Sequence, residues 1–298
     1  MKKSFGVIEI GSTNTKAYKY DDGFITELEF RTIEFKKNYA IHNCVAPSDL
    51  SILVDFINNT FEKVVDVYVY ATSLFRELSL AEIQNVECFL KRNTHTVLFE
   101  VVSAQRENEL TVIGAIQNVP LNGNVCVFVG GGGSTEISIC NGGEIVEMRN
   151  TKFGVSDVIK HFPDLSENYA STPIDEVSNY IDGNLNLPTQ KADYLILAGG
   201  DFLLRYNNAQ YPAEKNSRFI SQNHPLEITY IKNSEYESKY YHQLSLADLK
   251  MTTPENPNWW NGTRAMCAFT NSVARAICAR IIFPTRISMI MGIIASLT

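Results

Sequence analysis

Two stretches of this chain share one format. VIEIGSTNTKAYK (7–19) and VFVGGGGSTEISI (127–139) superimpose without a gap. Each is an apolar run, a turn of glycine and small hydroxyl residues, and then a run with alternating apolar positions, which is the signature of a β-hairpin. Glu9 falls on Val129, Gly11 on Gly131, Asn14 on Ser134, Thr15 on Thr135 and Lys16 on Glu136. One glycine-rich hairpin is a common structural device. Two in the same format predict two related halves facing each other.

The second hairpin spends four consecutive glycines, Gly130 to Gly133. Each costs strand stability by about 0.5–1 kcal/mol, so the run needs something that bare backbone supplies. A tight turn or bulge is one account. The other is a phosphate cradle, in which successive N–H groups wrap anionic oxygens and Ser or Thr hydroxyls add donors. The duplicated format favours the cradle.

Around the hairpins the chain alternates strand and helix. Helices are expected over 48–65, 79–93 and 106–119, with a Ser79/Glu82 capping box on the second. Strands are expected over 66–72 and 97–103 between them. After a turn at LNGN (121–124) the pattern restarts, with helices near 153–162 and through TPIDEVSNYIDGNL, FLLRYNN and LSLADLKM, a buried strand at 194–200, and a long helix over 261–282. This alternation is that of an α/β protein. The 298 residues suffice for two domains, expected at 1–119 and 120–298. Residues 206–242 are polar, tyrosine-rich and weakly periodic.

With a net charge of −7 nothing suggests a nucleic-acid footprint, and a polyanionic ligand needs a local basic pocket. Apolar stretches are interrupted by charge or proline, and the first residues lack a secretory pattern; no membrane partner is expected. Six scattered cysteines and five scattered histidines form no metal signature. The cysteines read as buried reduced thiols in a cytoplasmic protein. A metal here is expected to be a hard cation on oxygen ligands.

Five elements in order carry a resemblance. EIGSTNT (9–15), ATSLFRE (71–77), SAQRENEL (103–110), VGGGGSTE (129–136) and LAGGD (197–201) resemble the motifs of the exopolyphosphatase / guanosine pentaphosphate phosphohydrolase (Ppx/GppA) family. That family belongs to the actin-like, sugar-kinase and heat-shock ATPase superfamily, so the resemblance implies two ribonuclease-H-like domains with a ligand cleft between them. It implies hydrolysis of a terminal phosphate from polyphosphate or a guanosine polyphosphate, assisted by Mg²⁺ or another divalent cation. Carried over by motif position, Glu107 is the base that activates water, and Glu136 orients that water or the metal. Glu9 stands with Glu136 on the metal side. Gly11, Ser12, Asn14, Thr15, Arg76, Gly132, Gly133, Ser134 and Thr135 are implied phosphate contacts. The expected partner is a small-molecule or polymeric phosphate substrate, with a homodimer admitted.

The sequence also departs from the family pattern. The first-hairpin Asp is Glu9 and the second is Val129. In the catalytic element Ala104 replaces Gly, Arg106 replaces the first Glu and Glu109 replaces Arg. The terminal Gly-Leu-Arg-Glu-Gly is represented by SMIMG (288–292). These changes keep two other readings open: a catalytically degenerate phosphate or nucleotide sensor of the same fold, and, more weakly, a kinase, since IGSTNTK resembles sugar-kinase openings.

Overall fold

A computed structural model describes residues 4–11, 14–61, 65–117, 119–254 and 256–298. The chain divides into two units, residues 1–107 with 296–298, and residues 108–295.

Unit 1 opens with three antiparallel strands, β1 (Ser4–Ile10), β2 (Asn14–Asp21) and β3 (Phe24–Thr32). Helices α1 (Phe35–His42) and α2 (Pro47–Thr60) follow, then β4 (Val67–Ala71), α3 (Leu80–Asn93) and β5 (Thr96–Val101). The sheet order is β3-β2-β1-β4-β5, with β1, β4 and β5 parallel. Local chemistry sets the helix limits. Pro47 opens α2, where its missing N–H costs no bond. At α3 the Ser79 hydroxyl accepts from Glu82 N at 3.3 Å while Ser79 N donates to the Glu82 carboxylate at 2.9 Å, the expected capping box. Ile8, Ile10, Leu53, Phe56, Val69, Phe75, Leu90 and Phe99 form the core under these helices.

Unit 2 repeats the plan. β6 (Asn124–Gly130), β7 (Thr135–Asn141) and β8 (Glu144–Thr151) are antiparallel, followed by α5 (Val155–His161), α6 (Ile174–Asn184), β9 (Tyr194–Ala198) and α7 (Phe202–Asn208). Next come β10 (Glu214–Lys215), β11 (Leu226–Thr229), α8 (Tyr230–Gln243), α9 (Leu246–Met251), α10 (Thr263–Ile277), β12 (Ile281–Pro284) and α11 (Met289–Leu297). The sheet order is β10-β11-β12-β9-β6-β7-β8. The five strands counted from its β8 edge, β8-β7-β6-β9-β12, follow the order of unit 1. The hairpin registers match as well: Ile10 faces Thr15 and Glu9 faces Lys16, while Gly130 faces Thr135 and Val129 faces Glu136. The repeat in the sequence is therefore a repeat in topology and in register.

The two units divide at Glu107/Asn108, inside α4 (Ala104–Ile116). Packing is the reason: Val112 and Ala115 of α4 belong to an apolar cluster with Val127, Ile196 and Phe283 on the unit 2 sheet. α4 also lies backbone to backbone with α11. A Cβ on Gly292 would stand 1.8 Å from the Leu110 carbonyl oxygen, and one on Gly114 would stand 2.8 Å from Gly292 N. The long helix expected through 282 ends earlier. Cys278 takes a left-handed conformation (φ 60°) as its C-cap, and Ile281–Pro284 run on as β12, parallel to β9. Finally, the cysteines are not uniformly buried: all are free thiols, but Cys44, Cys88 and Cys278 are exposed.

The tyrosine-rich segment folds as α8 around a buried polar cluster. Arg205 of α7 and Glu237 of α8, exposed by 2% and 0%, form an ion pair. Arg205 also donates to Tyr211 Oη at 2.7 Å, and Tyr211 donates to Glu237 at 2.9 Å. A buried charge survives only when paired and hydrogen-bonded, so the polar residues here are core.

Candidate functional site

In unit 1 the candidate residues gather beyond the ends of β1, β4 and β5. Gly11 ends the first hairpin strand, and Glu9 and Lys16 face each other across its base. Burial pushes the Glu9 carboxyl up to about 7; Lys16 opposes that shift, and the Glu107 and Glu27 charges add to it. Thr72 of the ATSLFRE element clamps the hairpin, since both its N–H and its hydroxyl donate to Ile10 O, at 2.9 and 3.2 Å. Arg76 sits in the 3₁₀ turn that follows β4.

Glu107 lies in the first turn of α4. Ser103 starts that helix: its hydroxyl accepts from Arg106 N at 3.1 Å and its carbonyl from Glu107 N at 2.9 Å. The capping serine thus fixes where the Glu107 side chain leaves the backbone. Glu107 is joined by the Arg76 guanidinium, whose Nε donates to Val102 O at 2.7 Å. The structure therefore brings Glu9, Lys16, Arg76 and Glu107 into one electrostatic neighbourhood.

In unit 2 the second hairpin is a braced loop. Gly131 N donates to Ser134 O at 2.9 Å, closing the turn. The start of α5 then grips it from outside, with Val155 N on Gly131 O at 3.1 Å and Ser156 N on Gly132 O at 2.7 Å. Gly154 makes this possible, because a Cβ there would stand 2.6 Å from Gly131 O. None of the four glycines has a positive φ. A Cβ on Gly130 would stand 2.8 Å from Met266 Cε and Phe128 Cζ, so both side chains would have to shift, whereas a Cβ on Gly133 would meet nothing within 4 Å. Gly132 and Gly133 are exposed backbone, and Ser134 and Glu136 are half-buried.

The structure turns two candidates inward. Thr15 and Thr135 are each 1% exposed, and the Thr135 hydroxyl donates to Phe153 O at 2.8 Å. Thr15 is the second residue of β2 and Thr135 the first of β7, and at both positions strand alternation sends the side chain into the core. Arg76, expected to contact phosphate, has its guanidinium committed to Val102 and Glu107. Ser12 and the Asn14 side chain lie outside the described residues.

No family model and no curated protein matches the chain. Solved structures do. The chain is similar to the PPX-GPPA enzyme of Aquifex aeolicus, with a TM-score of 0.73 at 15% identity, covering 99% of this chain and 100% of that one. It is also similar to an exopolyphosphatase from Cytophaga hutchinsonii, with a TM-score of 0.68 at 18% identity, covering 99% of this chain and 97% of that one.

The chain has the Ppx/GppA fold.

Within that Ppx/GppA fold, the sequence left two supports unread. Gly154 was signalled only by its place before a helix, and Lys16 only by the hairpin register that sets it opposite Glu9. Val129 stands opposite Glu136, and a Cβ on Gly199 (φ 78°) would lie 2.3 Å from its Cγ1. An apolar side chain fills that corner in place of a carboxylate. No helix among the described residues is long and apolar enough to cross a membrane.

Proposed function

We propose that this protein is a divergent Ppx/GppA-type hydrolase that releases terminal phosphate from polyphosphate or a guanosine polyphosphate. One observation carries the reading: on a Ppx/GppA fold, Glu107 stands at the start of α4 beside Glu9, in the unit that bears the first hairpin. In the proposed step a water oxygen forms a bond to the terminal phosphorus and the bridging P–O bond breaks. The water proton passes to the Glu107 carboxylate, and the bond's electron pair leaves on the bridging oxygen of the shortened chain. The exposed N–H groups at Gly132 and Gly133 and the Ser134 hydroxyl would bind nonbridging oxygens.

Among the described residues no three His, Cys, Asp or Glu cluster as an all-protein metal cage. Mg²⁺ needs no such cage. It is held by one or two carboxylates with water and substrate phosphates, and a carboxylate oxygen such as that of Glu9 suits it. A bound divalent ion would neutralise charge on the phosphate oxygens, and Lys16, opposite Glu9, favours the charged carboxylate that such binding needs.

The test is phosphate release by purified protein with Mg²⁺, from polyphosphate and pppGpp. Glu107→Gln is expected to abolish release while leaving the Tm nearly unchanged, because the lost ion pair is half-exposed and contributes about 0–1 kcal/mol. Background release from every phosphoanhydride tried would end the enzyme reading. Val129, packed against Gly199 where a carboxylate was expected, favours the second reading: a sensor that binds phosphate ligands without turnover.

A further inference from the structure

The Arg76 side chain is fastened at two points: Nε to the Val102 carbonyl oxygen at 2.7 Å, and Nη2 to the Glu107 carboxylate. Val102 is the first residue after β5 and Glu107 lies in the first turn of α4, so the two contacts bracket the turn between those elements. Nε–H and one Nη2–H project from the same edge of the planar guanidinium, in a fixed fork. That edge is the one an arginine offers to a phosphate when it binds in two-point fashion. Here it spans a backbone oxygen and the candidate base. Ser103 fixes the Glu107 backbone through the helix start, and Arg76 fixes the carboxylate end.

We infer that Arg76 is a positioning residue for Glu107: it locks the carboxylate to the β5–α4 turn so that the base meets the attacking water at a set angle. The inference rests on the hydrolase reading above. It assigns Arg76 to the orientation of the base and not to the grip on substrate. A lysine cannot replace it, because one ammonium on a flexible stem does not span both acceptors in a fixed plane.

The experiment separates kcat from KM. Arg76→Gln and Arg76→Lys are each expected to lower kcat on polyphosphate by about tenfold to a hundredfold, the effect of a misplaced base, with KM held within about twofold. Calorimetric titration with tripolyphosphate and Mg²⁺ gives a readout without turnover, and Kd is expected to match wild type in both variants. A KM or Kd raised about tenfold or more with kcat preserved would make Arg76 a substrate contact and overturn the inference. Unchanged kcat and KM would also overturn it. Wild-type protein that binds tripolyphosphate but releases no phosphate would bring down the hydrolase reading, and this inference with it. That outcome is distinct from a wild type that turns over and an Arg76 variant that fails only in KM. Arg76→Lys keeps the charge, so the split remains readable if Arg76→Gln folds poorly.

Discussion

At the residue scale, glycines that look alike in the sequence do different things. Gly292 is where two helix backbones meet, and an added methyl would strike the Leu110 carbonyl, which cannot swing aside as a side chain could. Gly133 faces open space with an ordinary φ. Gly292→Ala is therefore expected to destabilise by about 1–3 kcal/mol, the range of overpacking. Gly133→Ala should stay within about 0.5 kcal/mol of wild type. Urea midpoints of the two variants check this, and a Gly133 variant as damaged as the Gly292 one would contradict the packing described here. If the hairpin backbone holds phosphate, the Gly133 variant should instead raise KM for polyphosphate.

At the element scale, the Glu147 carboxylate of β8 accepts from Thr189 N at 3.0 Å, from Gln190 N at 3.1 Å and from the Arg149 guanidinium at 2.7 Å. It ties the edge strand to the loop before β9. The Thr189 amide, then the Gln190 amide and Arg149, hold its pKa down to about 2 against some burial. A depressed carboxyl favours the folded state above its unfolded value of 4.5, and that contribution is lost as pH falls toward 2. The Tm gap between wild type and Glu147→Gln should therefore be widest above pH 4.5 and close as pH falls through 2. A gap that is constant across that range would sink the assignment.

Elements were legible where side chains follow one period. β4, α3 and the β6–β7 hairpin could be read because apolar residues repeat at strand or helix spacing and a capping box or glycine turn marks the limits. α8 could not. Its inward face carries Asn233, Glu237, Tyr240 and Tyr241, all buried, and its partner on α7 is an arginine. An inward face built from hydrogen bonds does not register in a hydrophobic pattern. The end of α10 was missed because its left-handed cap is Cys278, with no glycine to announce it. At the candidate site, motif order placed Glu107 and the hairpins, but which hydroxyls face outward depended on strand register. Thr15 and Thr135 turned inward for that reason.

At the scale of the whole molecule, enzyme and sensor differ in what ligand does over time. Any ligand that binds the folded chain alone stabilises it by RT ln(1 + [L]/Kd), about 2.7 kcal/mol at a hundredfold excess over Kd. Tripolyphosphate with Mg²⁺ should therefore raise the Tm in proportion to the logarithm of its concentration. In a hydrolase that increment decays on incubation as the ligand is consumed, whereas in a sensor it persists. A Tm indifferent to every phosphoanhydride would remove both readings.

The matched strand order and register have one more consequence. Two halves that share strand order and hairpin register give each hairpin position a counterpart, so the molecule contains its own comparison. Glu9 answers to Val129, and Lys16 answers to Glu136. One half carries its acid on the outgoing strand and the other on the returning strand, so the two hairpins have opposite polarity. Exchanging these sibling pairs would ask whether each half needs its own polarity, a question that a chain without an internal twin could not be asked.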